Sequence, residues 1–130
     1  MDVNKINKKT NQQKIFFHTD ATQAINYLPV GVPQLGVDLM SFNASKLYGP
    51  KGVGVLYVKK ATPIGKIMFG GDQEMGLRPG TENVALVTAL ANALEQVEKI
   101  KDKEFKRLTK LRDYFIKKLL QLNEKLIING

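Results

Sequence analysis

The residue in this chain best placed for covalent chemistry is Lys46. Residues 37–42, VDLMSF, form an apolar run of strand composition that stops in the polar Asn43-Ala44-Ser45. Lys46 follows, and after it comes the turn sequence Tyr48-Gly49-Pro50-Lys51-Gly52. A second β-branched run, VGVLYV, occupies residues 53–58. A lysine at the end of a buried strand, pinned by a Gly-Pro turn, is open to desolvation. Desolvation lowers its pKa and frees an amine that forms a Schiff base with a carbonyl compound or with pyridoxal phosphate. The same pattern also suits an ordinary solvated lysine beside a turn. Asp20 ends a shorter β-prone run, residues 15–19 (IFFHT), where its carboxylate is suited to capping the helix that follows.

Other chemistries are poorly supplied. There is no cysteine in the 130 residues, which excludes disulfides, thiolate metal sites and a cysteine nucleophile on this chain. One histidine, His18, excludes multi-histidine metal sites. Its place on a β-prone run suggests a packed or hydrogen-bonded residue rather than a catalyst. No ligand-spaced carboxylate cluster stands out, so no metal is expected. The phosphate-loop pattern G-x-x-x-x-G-K-[ST] does not occur. A formal charge of +8 invites a nucleic-acid reading, but its placement argues otherwise. Residues 99–125 hold ten lysines or arginines against four acidic residues, so most of the excess lies there. Those charges alternate with apolar residues at helical spacing, as on a solvated helix face, and no nucleic-acid motif accompanies them.

These residues need elements to position them. The length suits one ordinary domain. Residues 1–14 are polar and aperiodic and read as loop or disorder. Residues 21–27 suit a short helix behind Asp20, ended by Pro29 and Pro33. Strand, short helix and strand at this spacing predict a parallel pair joined by a crossover, hence α/β. Residues 64–69 suggest another strand. Residues 70–81, GGDQEMGLRPGT, are too glycine-rich for a regular element and long enough for a functional loop. A long helix is expected from Glu82 with Thr81 as its N-cap, placing Leu86, Leu90, Ala93 and Val97 on one face. The pattern resumes through Leu108, Leu111, Phe115 and Leu119, so either one helix bends near Asp102 or two meet there. Some forty residues at ~1.5 Å each make a rod of roughly 60 Å, which must bridge to something else. Residues 126–128 suggest the start of a strand without a partner, a sign of truncation. No apolar stretch is long enough to cross a bilayer, and the first residues lack a signal-peptide core, pointing to the cytoplasm.

Three motifs in order, FHTDATQ, SFNASKLYGPKGVGVLYV and GGDQEMGLRPGTEN, resemble the cysteine desulfurases. These are pyridoxal 5'-phosphate enzymes of the class V aminotransferase group, fold type I, related to selenocysteine lyase. The resemblance covers residues 15–98; residues 99–130 look like the family's linker helix into its small domain. It implies that Lys46 holds the cofactor and moves the Cα proton. Asp20 would pair with the pyridinium nitrogen, a charge-assisted bond of about 1.5–3 kcal/mol. Gln23 would bond the phenolic oxygen. Asn43 and Ser45 stand where the family typically has phosphate-binding serine and histidine; amide and hydroxyl can still donate. Thr81 would reach the phosphate of a neighbouring subunit's cofactor, which implies a homodimer. Arg78 is left without a catalytic role, and Lys51 reads as a turn lysine.

The resemblance also marks what is absent. The family reaction takes sulfur from L-cysteine onto an enzyme cysteine, giving L-alanine and a persulfide for iron–sulfur cluster or thio-cofactor assembly through an acceptor such as an iron–sulfur scaffold. The sulfur-carrying cysteine, the cofactor-stacking histidine and the arginine for the substrate carboxylate find no match here. The chain is therefore expected to be the second half of a large cofactor domain plus the start of a link, inactive as a desulfurase by itself. Two other readings remain open: another class V enzyme such as a selenocysteine lyase, and a non-catalytic α/β module whose basic helix holds an acidic partner.

Overall fold

A computed structural model describes residues 15–129. The expected polar segment 1–14 lies outside the described residues. Three strands, β1 (His18–Asp20), β2 (Leu39–Asn43) and β3 (Gly54–Val58), form one sheet in that order. β1 and β2 are parallel, with Asp20 opposite Ser41, and β2 and β3 are antiparallel, with Asn43 opposite Gly54. The parallel pair and the α/β class agree with the sequence.

Alternation explains the sheet's two faces. Met40 and Phe42 of β2 are buried, and Val55 and Tyr57 of β3 share their side. That face joins Ala21, Ile25, Val37, Ala44, Leu47, Leu90 and Val97 in one core. Full burial of Leu47 and Val37 contributes about 1.5–3 kcal/mol each. Leu39, Ser41 and Asn43 point the other way and are only half-buried.

The β1–β2 connection holds a 3₁₀ turn (Ala24–Asn26) and a one-turn helix, α1 (Val32–Leu35). Pro33 corrects the sequence expectation: it does not terminate a helix but sits in the first turn of α1, where a missing N–H costs nothing. Gly36 closes α1 at φ +65°, a left-handed position that favours glycine.

One helix, α2 (Val84–Leu122), dominates the molecule at 39 residues, or roughly 58 Å. It is a single helix across Asp102. Its start differs from expectation. Asn83, not Thr81, is the N-cap: Leu86 N–H donates to Asn83 Oδ1 at 3.1 Å. Thr81 and Glu82 precede the helix because asparagine caps at least as well and lies closer to the apolar run. In the first half of α2, Leu90 and Val97 are buried, as is Lys101, which pairs with Glu98. The alanines permit close approach: a Cβ on Gly49 would lie 3.0 Å from Ala93 Cβ and 3.1 Å from Ala44 Cβ. In the second half the apolar stripe that resumes is open, with Leu111 55% and Phe115 60% exposed.

Two expected strands do not form. Residues 64–69 are irregular, and Ile67 and Phe69 are almost wholly exposed. Residues 126–128 are also irregular. Both were short apolar runs, which form strands only when a sheet edge accepts them. The glycine-rich loop forms as expected around a 3₁₀ turn (Glu74–Gly76). No helix of the described residues is long and apolar enough to cross a membrane.

Candidate functional site

Parallel strands carry their carboxyl ends to one edge of a sheet, the edge at which open α/β folds place ligands. Asp20 is the last residue of β1 and Asn43 the last of β2. A 3₁₀ turn (Ala44–Lys46) begins at once, so Lys46 stands at the same edge. The pairing of Asp20 with Ser41, and the pleat that puts Asn43 beside Ser41, place Asp20, Ser41 and Asn43 on the less buried face. Sheet topology therefore brings Asp20, Asn43, Ser45 and Lys46 together at one edge.

The Lys46 turn is held firmly from below while its amine stays outside. Ala44 and Leu47 are 0% and 1% exposed. Ala44 N–H donates to Val53 O at 3.1 Å, and Ala44 O accepts from Leu47 and Gly49, each at 2.9 Å. Gly52, at φ +93°, lets the chain return into β3. Lys46 itself is exposed, and its ammonium makes no ion pair among the described residues. Its main-chain carbonyl accepts from Asn26 Nδ2 at 2.5 Å.

Asp20 is anchored by Thr22. The Thr22 N–H donates to Asp20 Oδ1 at 2.8 Å. The Thr22 hydroxyl, the largest influence, and that N–H together hold the carboxyl below the usual aspartate range. So Asp20 does cap a turn, and it still has acceptor capacity, because a carboxylate offers about four lone-pair sites. Asn43 Oδ1 accepts from Ser45 Oγ at 2.7 Å, which leaves the Asn43 amide hydrogens as donors. His18 Nε2 lies 3.0 Å from Ser41 Oγ, the hydrogen-bonded role expected for it. Arg78 Nη1 donates to Pro79 O and fixes its own loop.

Gln23 and Thr81 are less tightly placed. Gln23 is exposed and precedes the 3₁₀ turn after Asp20. Thr81 is exposed on the loop before α2, and no hydrogen bond joins it to the Asp20–Lys46 group among the described residues. Sequence reasoning missed Thr22 and Asn26. Asp20-Ala21-Thr22 carries the local signal for an Asx-type bond; Asn26 reaches across twenty residues and has no local signal. Among the described residues no cluster of His, Cys, Asp or Glu could hold a metal.

The donor set fits pyridoxal 5'-phosphate. An ionised carboxylate, an amine without an ion pair among the described residues, and amide and hydroxyl groups lie along one strand edge, matching a pyridinium, an aldehyde and a phosphate in chemical kind.

A parallel strand pair with lysine and aspartate at its carboxyl edge is an open α/β arrangement of the ligand-binding kind. The chain belongs to the family described as aminotransferase class-V, whose model matches residues 1–129. A cysteine desulfurase IscS of Dictyoglomus turgidum is 45% identical over 98% of this chain and 32% of its own length. A solved structure described as a NifS-like protein superposes with a TM-score of 0.83 at 40% identity, over 93% of this chain and 33% of that one. A structure of SspA in complex with cysteine matches with a TM-score of 0.59 at 41% identity, over 62% of this chain and 24% of that one. The chain thus spans about a third of the length of these relatives or less.

Proposed function

We propose that this chain supplies the lysine- and aspartate-bearing part of a pyridoxal 5'-phosphate site in a cysteine desulfurase. The carrying observation is the placement of Asp20 and Lys46 at the carboxyl ends of adjacent parallel strands. The IscS relative and the cysteine-bound neighbour support L-cysteine as substrate. When bound, the cofactor supplies an electrophilic aldehyde and an electron-accepting ring. Lys46 would contribute the amine that holds the aldehyde and would move the proton at the substrate Cα. Asp20, whose pKa Thr22 lowers, would accept from the ring N–H. Gln23 would serve the phenolic oxygen and the Asn43 amide would donate to the phosphate; the Ser45 hydroxyl, which donates to Asn43 Oδ1 here, would turn to do the same. Thr81 would serve the phosphate of a second subunit's site.

The overall exchange converts L-cysteine and a thiol into L-alanine and a persulfide. No cysteine occurs in this sequence, so the thiol is contributed from outside these 130 residues. In this reading residues 15–98 belong to the cofactor domain and residues 99–130 to a linker helix and the start of a small domain, a division that falls within α2. The parent assembly is a cytoplasmic homodimer passing sulfur to an acceptor such as an iron–sulfur scaffold.

The test is covalent trapping. The chain is incubated with pyridoxal 5'-phosphate, reduced with borohydride and mapped by mass spectrometry. The pyridoxyl label is expected to concentrate on Lys46, to vanish from that peptide in Lys46→Ala, and to weaken in Asp20→Asn. Label spread over the surface lysines without preference would defeat the reading.

A further inference from the structure

Asp20 and Lys46 reach the same edge on separate turns, and one buried side chain ties those turns together. Asn26 lies in the 3₁₀ turn (Ala24–Asn26) that follows Asp20 and is 4% exposed. Its Nδ2 donates to the main-chain carbonyl of Lys46 across 2.5 Å. That acceptor settles the orientation of the amide: a carbonyl oxygen only receives, so nitrogen must face it. Asn26 Oδ1, on the other side, is buried and has no partner among the described residues.

An orphaned buried acceptor is destabilising. A leucine has the same number of side-chain heavy atoms, in a bulkier shape, and would bury no such group. What the amide adds at this position is its grip on Lys46. Of the other bonds of that turn, the two that Ala44 O accepts from Leu47 and Gly49 close the turn on itself, and the one from Ala44 N–H to Val53 O ties it to the start of the β3 side. The Asn26 bond ties it across to the segment that leaves Asp20.

We propose that Asn26 is a positioning residue, fixing the Lys46 turn relative to Asp20 so that amine and carboxylate address opposite ends of one ring. This rests on the cofactor reading above. Asn26→Leu removes the donor and the orphaned acceptor together. Its melting temperature is expected to hold or rise, which a merely structural role would not allow. Protection of the Leu47 amide against hydrogen exchange should fall about three- to tenfold, the factor of one hydrogen bond.

Borohydride trapping with two aldehydes reads the positioning. Lys46 labelling by pyridoxal 5'-phosphate should fall by the same factor in Asn26→Leu. Labelling by the 1-deaza analogue, which offers Asp20 no ring nitrogen, should stay as it is. Asn26→Ala, which needs no added space, serves as the second variant: its labelling and Leu47 exchange should change in the same way, with a melting temperature lowered by the cavity it leaves. Undiminished preference for pyridoxal phosphate in both variants would overturn the proposal alone. Loss of labelling by both aldehydes together with a lower melting temperature would make Asn26 a packing residue and also overturn it. Equal labelling by both aldehydes in the unsubstituted chain would defeat the cofactor reading, and the proposal with it.

Discussion

At the scale of single residues, Thr22 sets how far into the acid range Asp20 stays ionised. Its hydroxyl and N–H stabilise the ionised carboxylate and lower the pKa in the folded chain. A depressed carboxyl pKa contributes stability above the unfolded value, near 3.9, and that contribution is lost as pH falls through the lower folded value. Thr22→Ala removes the hydroxyl, so the Asp20 pKa is expected to rise towards the ordinary range while the backbone bond keeps part of the shift. A carboxyl carbon NMR titration checks this; an unmoved midpoint would show that the hydroxyl is not the cause. The place of Lys46 and Asp20 at the sheet's edge was legible in the sequence because each lies at or just beyond the end of a β-prone run, a local signal. Asn26 was not, because its partner is set by the β1–β2 crossover rather than by neighbouring residues.

At the scale of elements, the Lys46 turn and α2 meet at Gly49. Its missing Cβ is what lets Ala44 and Ala93 approach, and neither neighbour has a flexible end that could yield. Gly49→Ala is expected to destabilise the chain by about 1–3 kcal/mol through overpacking, measured by denaturant unfolding. The strands and the glycine-rich loop were readable from alternation and composition. The start of α2 was misplaced by two residues because Thr81, Glu82 and Asn83 offer rival caps, and three-dimensional packing chooses among them. The strands expected at residues 64–69 and 126–128 failed for a related reason. An apolar run records a preference for burial but not the neighbour that would provide it.

At the scale of the whole molecule, stability is unevenly shared. The first half of α2 joins the core through Leu90 and Val97, whereas Leu111, Tyr114, Phe115 and Leu122 lie open. Surface ion pairs such as Arg107–Glu104 add little to that distal half. Amide hydrogen exchange is therefore expected to be slowest around residues 90–101 and progressively faster beyond Leu108. Uniform protection along α2 would show that the distal half is stabilised by something other than the core. A rod clamped at one end and free at the other is a lever. Its fulcrum lies at Ala93, against the turn that carries Lys46. A tilt of about 10° there would sweep the far end through roughly 7–8 Å at ~1.5 Å per residue. By the same mechanics, a hand on the distal end applies torque directly to the ground on which the Lys46 amine stands.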